Sequence, residues 1–487
     1  MIILLRMKPV WLIWWSCLLS CGHSSPGVVM RVTQKWMDYI VSEGKDVFRH
    51  MLQHNRLPDV IGSTRVFGKV DYAITGITVE EFDPSHAVVV PTPPTDVLLN
   101  VEGSLATVFG QWRVKHWLIT DNGNFTLRIS GVTLNSHFKT LKDSSTRPSV
   151  SLSSCHSEVK HAKVHLSGGA SWFYNLFTGF LEKPIRDNLN EKLCPQVGEV
   201  MTILQKKLAT FLVSADLDAH TKIDYSLINP PRVQKTNIDL DLKGTIHRSG
   251  AQEPQEAYVP PIILPDTQRS MIFMGFSEYF FNALGKTYFM SDILKLTLTQ
   301  EQYPQVFWLR TGDYSPVIPE IKKYYPQSEA VVLTVTAFKP PEIVLTSQLT
   351  MQMEGILDAH VVLPYLMMEQ MFSTTVHATF IADTVHLSNL NLKVSFSIQS
   401  FRFKDFKSFV GHVDVVELEH SLGHMLRDYI VRAINSGLSS GIPIPSIDDV
   451  TYQESAVSIT PGCLVLSMDM YYTPWKELMG SAPVLAS

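Results

Sequence analysis

Ile246-His-Arg-Ser-Gly-Ala-Gln-Glu-Pro-Gln-Glu-Ala-Tyr-Val-Pro-Pro-Ile-Ile-Leu-Pro265 is the stretch that divides this chain. Its prolines and its Gln/Glu-rich middle mark an extended linker. The same order of patterns stands on either side of it. Upstream, a helical stripe (Val32, Trp36, Ile40, Val47, Met51) ends at Pro58, with a spacing of mostly four. Strand alternation fills 60–167, as in Phe125, Leu127, Ile129 and in Val164, Leu166. A long helical pattern follows over 171–212, in which Pro184 and Pro195 predict kinks or a break. Short strands resume near Ile223 and Ile238.

Downstream, Ser277 is placed as the N-cap of a helix carrying Phe280, Phe281, Leu284 and Tyr288. Leu390, Leu392, Val394, Phe396 and Ile398 alternate as a strand. A helix over 418–438 carries Leu418, Leu422, Met425, Tyr429 and Ile434, and strands close the chain at about 450–472. Each half is thus helix, antiparallel strands, long helix, strands. The expected fold is α+β: two barrels or rolls, each a twisted sheet with a long helix against it. The expected division is a leader at 1–25, an N-terminal barrel at 26–245, a linker at 246–265 and a C-terminal barrel at 266–480.

Composition narrows the function. The 487 residues are 45% hydrophobic and only 18% charged, which excludes a disordered chain and implies more buried apolar surface than usual. A formal charge of −5 excludes a nucleic-acid-coating protein. The charge is uneven: residues 26–245 hold 24 Lys and Arg against 22 Asp and Glu, and residues 246–487 hold 15 against 24. Arg6 and Lys8, the short apolar run Val10–Leu19 and the small or polar residues after it read as a secretion leader, so an extracellular protein is expected. Beyond the leader stand Cys155, Cys194 and Cys463; in an oxidising compartment two of them pair and one is left over. Asn124-Phe-Thr126 is a glycosylation sequon.

His420 and His424 stand four apart on a helix, yet no Glu follows His420 in the HExxH manner, so no metal site is assigned. No G-x-S-x-G, phosphate loop or dinucleotide fingerprint is present, and no catalytic residue or cofactor is assigned.

Several motifs, in order, resemble one family. Pro26-Gly-Val-Val-Met-Arg-Val-Thr-Gln-Lys35, Leu57-Pro-Asp59, Gly110-Gln-Trp112, Leu189-Asn-Glu-Lys-Leu-Cys194, Thr221-Lys-Ile-Asp-Tyr225, Glu278-Tyr-Phe-Phe281 and Gly441-Ile-Pro-Ile-Pro445 are similar to the family of bactericidal permeability-increasing and lipopolysaccharide-binding proteins. Glu182-Lys-Pro-Ile-Arg-Asp-Asn-Leu-Asn190 most resembles its BPI fold-containing family C branch. The resemblance spans about residues 26–475. It implies a boomerang of two barrels joined by a central sheet, each barrel holding an apolar pocket for phospholipid acyl chains. It implies phospholipid as partner, with lipopolysaccharide or a bacterial membrane surface as a further one, and a role in innate defence. Lipid transfer between particles is the alternative, and a lipid-cleaving enzyme stands behind both.

The resemblance supports the pairing of Cys155 with Cys194, with Cys463 free. It implies a basic tip on the first barrel, for which Arg65, Lys69, Arg113 and Lys115 are the candidates. Gln111, Val114 and Trp117 stand there in place of further basic residues. The expected acyl-chain residues are Val32, Trp36, Ile40, Phe173, Phe177 and Phe180 in the first half. In the second half they are Phe280, Phe281, Leu284, Leu422, Met425 and Tyr429.

Overall fold

The computed structural model describes residues 25–472, apart from 55–58, 66–67, 85, 117–118, 172–174, 176–177, 220, 249 and 251–259. Most of the expected leader and the middle of the expected linker lie outside the described residues.

The first half runs β1 (Val28–Thr33), α1 (Gln34–His54), β2 (Val60–Arg65), β3 (Lys69–Asp83), β4 (His86–Thr92), β5 (Asp96–His116), β6 (Ile119–Lys142), β7 (Pro148–Ser167) and α2 (Gly179–Leu208). The short strands β8 (Ser214–Asp216), β9 (Thr221–Asp224), β10 (Arg232–Val233), β11 (Asn237–Leu242) and β12 (Thr245–Arg248) follow. The second half runs β13 (Ile272–Ser277), α3 (Glu278–Met290), β14 (Lys295–Leu298), β15 (Ala330–Ala337), β16 (Glu342–Leu345), β17 (Leu349–Val362), β18 (Met368–Ser388) and β19 (Asn391–Ser408). It ends with α4 (Val415–Gly437), β20 (Ile442–Pro443), β21 (Val450–Thr460) and β22 (Cys463–Tyr472).

Each half therefore builds one large antiparallel sheet, β2-β3-β5-β6-β7 in the first and β14-β15-β17-β18-β19-β20 in the second. Between them lies a six-stranded sheet, β10-β11-β1-β13-β22-β21, with strands from both halves. Here β1 sits between β11 and β13, with Val32 opposite Ile238 on one side and Ile272 on the other. Val32 thus belongs to a strand, not to the helical stripe read from the sequence. Its spacing from Trp36 fits a helix, but Val28, Val29 and Met30 just before it belong with it to a segment that pairs with two neighbouring strands.

Charges fasten the central sheet. Arg31 donates to both oxygens of Asp239 at 2.7 and 2.8 Å, and Asp239 is nearly fully buried. That hydrogen bond raises the affinity of Arg31 for its proton, against the cost of burial. Arg232 binds Asp241 in the same two-pronged way at 2.8 and 2.9 Å.

Helix α2 runs from Gly179 to Leu208 without a break, through both Pro184 and Pro195. Proline removes an intrahelical bond at each point. Contacts to β7 hold the helix: Glu182 accepts from the Val164 amide at 3.3 Å, and Asn190 accepts from the Val159 amide at 2.7 Å. The Cys155–Cys194 disulfide, with Cα atoms 5.8 Å apart, adds a covalent tie one residue before Pro195. Tertiary anchoring outweighs local propensity here.

Candidate functional site

The second half holds an apolar cavity of about 420 Å³. Sheet strands form one wall, through Met351 and Met353 of β17, Val376, Ala378 and Phe380 of β18, and Val394 and Phe396 of β19. Phe281, Leu284 and Tyr288 of α3 form a second, and Ile430 and Ile434 of α4 a third. Leu217 and Asp218, from the β8–β9 turn of the first half, also line it. Lining residues that reach solvent, among them Asp218, Ile293, Lys295 and Ser440, mark its opening.

Local sequence sets these walls. Ser277 caps α3, its Oγ accepting from the Phe280 amide at 3.2 Å, and Asp414 caps α4 by accepting from the Glu417 amide at 3.1 Å. Helix α4 ends with Leu438 as its C-cap, and the turn that follows reaches Gly441, whose φ of 78° suits glycine. The Gly441 amide donates to the Leu438 carbonyl at 3.0 Å.

Beside the apolar packing of their buried faces, polar side chains hook the helices to sheet edges. Asn282 of α3 exchanges two bonds of 2.8 Å with the Ile343 backbone, and Glu278 accepts from the Leu345 amide at 2.8 Å. Asn435 of α4 does the same with Phe396 at 2.8 and 2.9 Å, and Glu419 accepts from the Phe403 amide at 2.8 Å. In the first half Glu182 and Asn190 of α2 serve β7 alike. These hooks satisfy edge-strand groups.

The polar groups of the lining are few. Burial, then Asp218, pushes the Tyr288 phenol up to about 12. Lys339 donates to Glu354 at 2.7 Å and holds its carboxyl below the usual range, with His377 at 3.4 Å on the same oxygen. A slot of this kind accepts a long apolar chain and offers little to a polar small molecule.

The expected second-half residues divide. Phe281 and Leu284 line the cavity. Phe280 and Leu422 are fully buried in the packed core and do not line it. Met425 and Tyr429 are partly buried against that core, with the Tyr429 ring 5.1 Å from that of Tyr303. Val376, Ala378 and Phe380 of the sheet wall stand at a period of two, a strand signal that helical stripes do not contain. For Leu217 and Asp218 no local signal exists. In the first half, Val32 and Trp36 are partly buried against the main core, and Ile40 is half-buried. The side chains of Phe173, Phe177 and Phe180 lie outside the described residues.

Arg65, Lys69, Arg113 and Lys115 come together. Arg65 pairs with Lys69, Asp71 with Lys115, and Ala73 with Arg113. Directly opposed residues share a face, so all four cations stand on one side of the sheet, and all are exposed. Asp71 stands among them, 3.4 Å from Lys69. Asn124 is exposed and opposite Gln111 on the same face. Cys463 is free and buried, and burial pushes its thiol up to about 12. His420 and His424 are exposed, and no cluster able to hold a metal exists among the described residues.

Comparison with known proteins completes the picture. The model of the LBP / BPI / CETP family N-terminal domain matches residues 37–208, and that of its C-terminal domain matches residues 215–472. The chain is 26% identical to a bactericidal permeability-increasing protein of Sebastes schlegelii over 454 residues, 92% of this chain and 96% of that one. It is 27% identical to the BPI fold-containing family C protein of Homo sapiens over 471 residues, 94% and 91% of the two. The crystal structure of lipopolysaccharide binding protein superposes with a TM-score of 0.65 at 26% identity, covering 92% of this chain and 99% of that one. Two domain models matched in order, over a fold of two barrels joined by a shared sheet, leave one assignment: the chain belongs to the LBP / BPI / CETP family.

Proposed function

We propose that this protein is a secreted lipid-binding protein of innate defence that takes the acyl chains of phospholipid or lipopolysaccharide-type lipid into apolar slots. The observation that carries this is the second-half cavity of about 420 Å³, whose lining is mostly apolar. Each methylene moved from water into it gains about 0.8 kcal/mol. Relatives named for bactericidal permeability increase and for lipopolysaccharide binding support the ligand class. Family membership argues for binding rather than catalysis. The leader-like start and the disulfide support export.

A second acyl slot in the first half, involving Val32, Trp36, Ile40, Phe173, Phe177 and Phe180, is part of the same reading. So is headgroup contact at Arg65, Lys69, Arg113 and Lys115, where convergent cations suit phosphate. Lipid extraction and mass spectrometry of the purified protein test the proposal, beside incubation with labelled vesicles. Co-purified or captured lipid supports it. Movement of label between vesicles would favour a transfer protein. Release of free fatty acid would overturn it in favour of an enzyme.

A further inference from the structure

The far end of the second barrel carries an apolar patch that the cavity does not explain. The β17–β18 hairpin turns through Leu363–Met367, closed by a 2.8 Å bond from the Leu363 amide to the Met367 carbonyl. Tyr365 is 96% exposed at the apex, and its φ of 64° is a left-handed conformation that costs a non-glycine residue energy. Met367 and Met368 are more than half exposed beside it. The β19–α4 loop brings Phe409, 55% exposed, to the same end, its amide bonded to the Met371 carbonyl at 3.0 Å. Val416, 82% exposed, opens α4 two residues after Asp414, whose amide bonds to the Val317 carbonyl.

We infer that this end of the barrel is an anchor that inserts into a zwitterionic lipid surface. The inference deepens the carrier reading and rests on it. Shape argues first. The patch is a projecting hairpin tip with side chains pointing outward, and two convex tips would bury little area against each other. Chemistry argues second. A tyrosine and flexible methionines suit the boundary between headgroups and acyl chains. Charge argues third. The segments that meet at this end, 320–325, 363–371 and 407–417, carry Lys322, Lys323 and Lys407 against Glu320, Glu369, Asp414 and Glu417. Lys323 and Glu320 pair at 2.5 Å, and Tyr325 donates to Glu369 at 3.4 Å. The rim is close to neutral, so it offers no net attraction to an anionic surface and fits headgroups that carry both signs.

The anchor is distinct from the cavity. The paired residues Gly355 and Val376 line the cavity, and the tip pair Val362 and Met368 stands seven residues further along β17. That is about 23 Å at ~3.3 Å per residue. Between them Leu357, Ala359, Val361, Met371 and Phe372 are fully buried. The tip therefore holds the protein at a lipid surface without opening onto the slot.

The test uses the full chain and phosphatidylcholine vesicles in a flotation assay. In the variant, Tyr365→Ser, Met367→Ser, Met368→Ser and Phe409→Ser are combined. All four side chains are exposed, so the thermal melt should not move. Vesicle partitioning should fall at least about tenfold, a modest loss for four apolar groups. Binding by the unaltered chain should be insensitive to salt. Unchanged partitioning of the variant overturns the inference, as does binding confined to anionic vesicles and abolished by salt. Loss of a dimer in the variant, with vesicle binding intact, overturns it in favour of a second copy as occupant. Leu284→Trp separates this from the carrier reading: an emptied cavity should leave flotation unchanged. A chain that floats yet carries no lipid would defeat the carrier reading alone.

Discussion

Leu284→Trp asks whether the second-half cavity is a slot or a packing remnant. Leu284 projects from α3 into the lining, while Leu422 on α4 is fully buried in solid core. The tryptophan side chain carries about six more heavy atoms than that of leucine. In a filled core that excess costs about 1–3 kcal/mol, through off-rotamer side chains and backbone shifts. Leu422→Trp should show that cost. At Leu284 the added atoms enter free volume of about 420 Å³, so stability should change by less than about 1 kcal/mol. Lipid should suffer instead. If the ring displaces three to six methylenes at ~0.8 kcal/mol each, binding weakens by about 2–5 kcal/mol, or some thirty-fold to several-thousand-fold. Chemical denaturation beside mass spectrometry of extracted lipid reads both quantities. Equal destabilisation by the two variants, or full lipid content in Leu284→Trp, would refute the slot.

Three further outcomes are expected. Changing Arg65, Lys69, Arg113 and Lys115 together to Ser should weaken binding to anionic vesicles and flatten its salt dependence, since each cation near such a surface is worth about 1 kcal/mol; unchanged binding would mean a merely solvated face. Replacing Cys155 and Cys194 by Ser opens a loop of 39 residues and should cost about 4 kcal/mol on the chain-entropy model, and a loss below about 1 kcal/mol by denaturant titration would count against that account. Tyr288, pushed up to about 12, holds its proton more tightly folded than unfolded, where tyrosine ionises near pH ~10. The stability this contributes is whole below about pH 10 and is lost as pH rises toward about 12. Melts of the unaltered chain should therefore fall relative to Tyr288→Phe across that window, and a constant difference would argue that the phenol is solvated.

The linear order of periods determined much of this protein. Alternation at Phe125, Leu127 and Ile129 placed strands, because a strand turns its side chains to opposite faces residue by residue. The Ser277 cap and the stripe after it placed α3, because a hydroxyl oxygen there meets a free amide. Such signals act within a few residues and survive in the sequence. What joins distant residues does not. Val32 became a strand because Ile238 and Ile272 lie beside it, more than 200 residues away. Helix α2 stayed whole through two prolines because β7 holds it. The cavity was decided only in three dimensions. A helical stripe states that residues meet something apolar, not whether that is another side chain or empty space. Phe280 and Phe281 are neighbours in the same stripe, yet one is packed core and the other lines the slot. Successive positions on a helix point about 100° apart, so where the sheet and the second helix lie around α3 decides which ring meets packed side chains and which meets the slot.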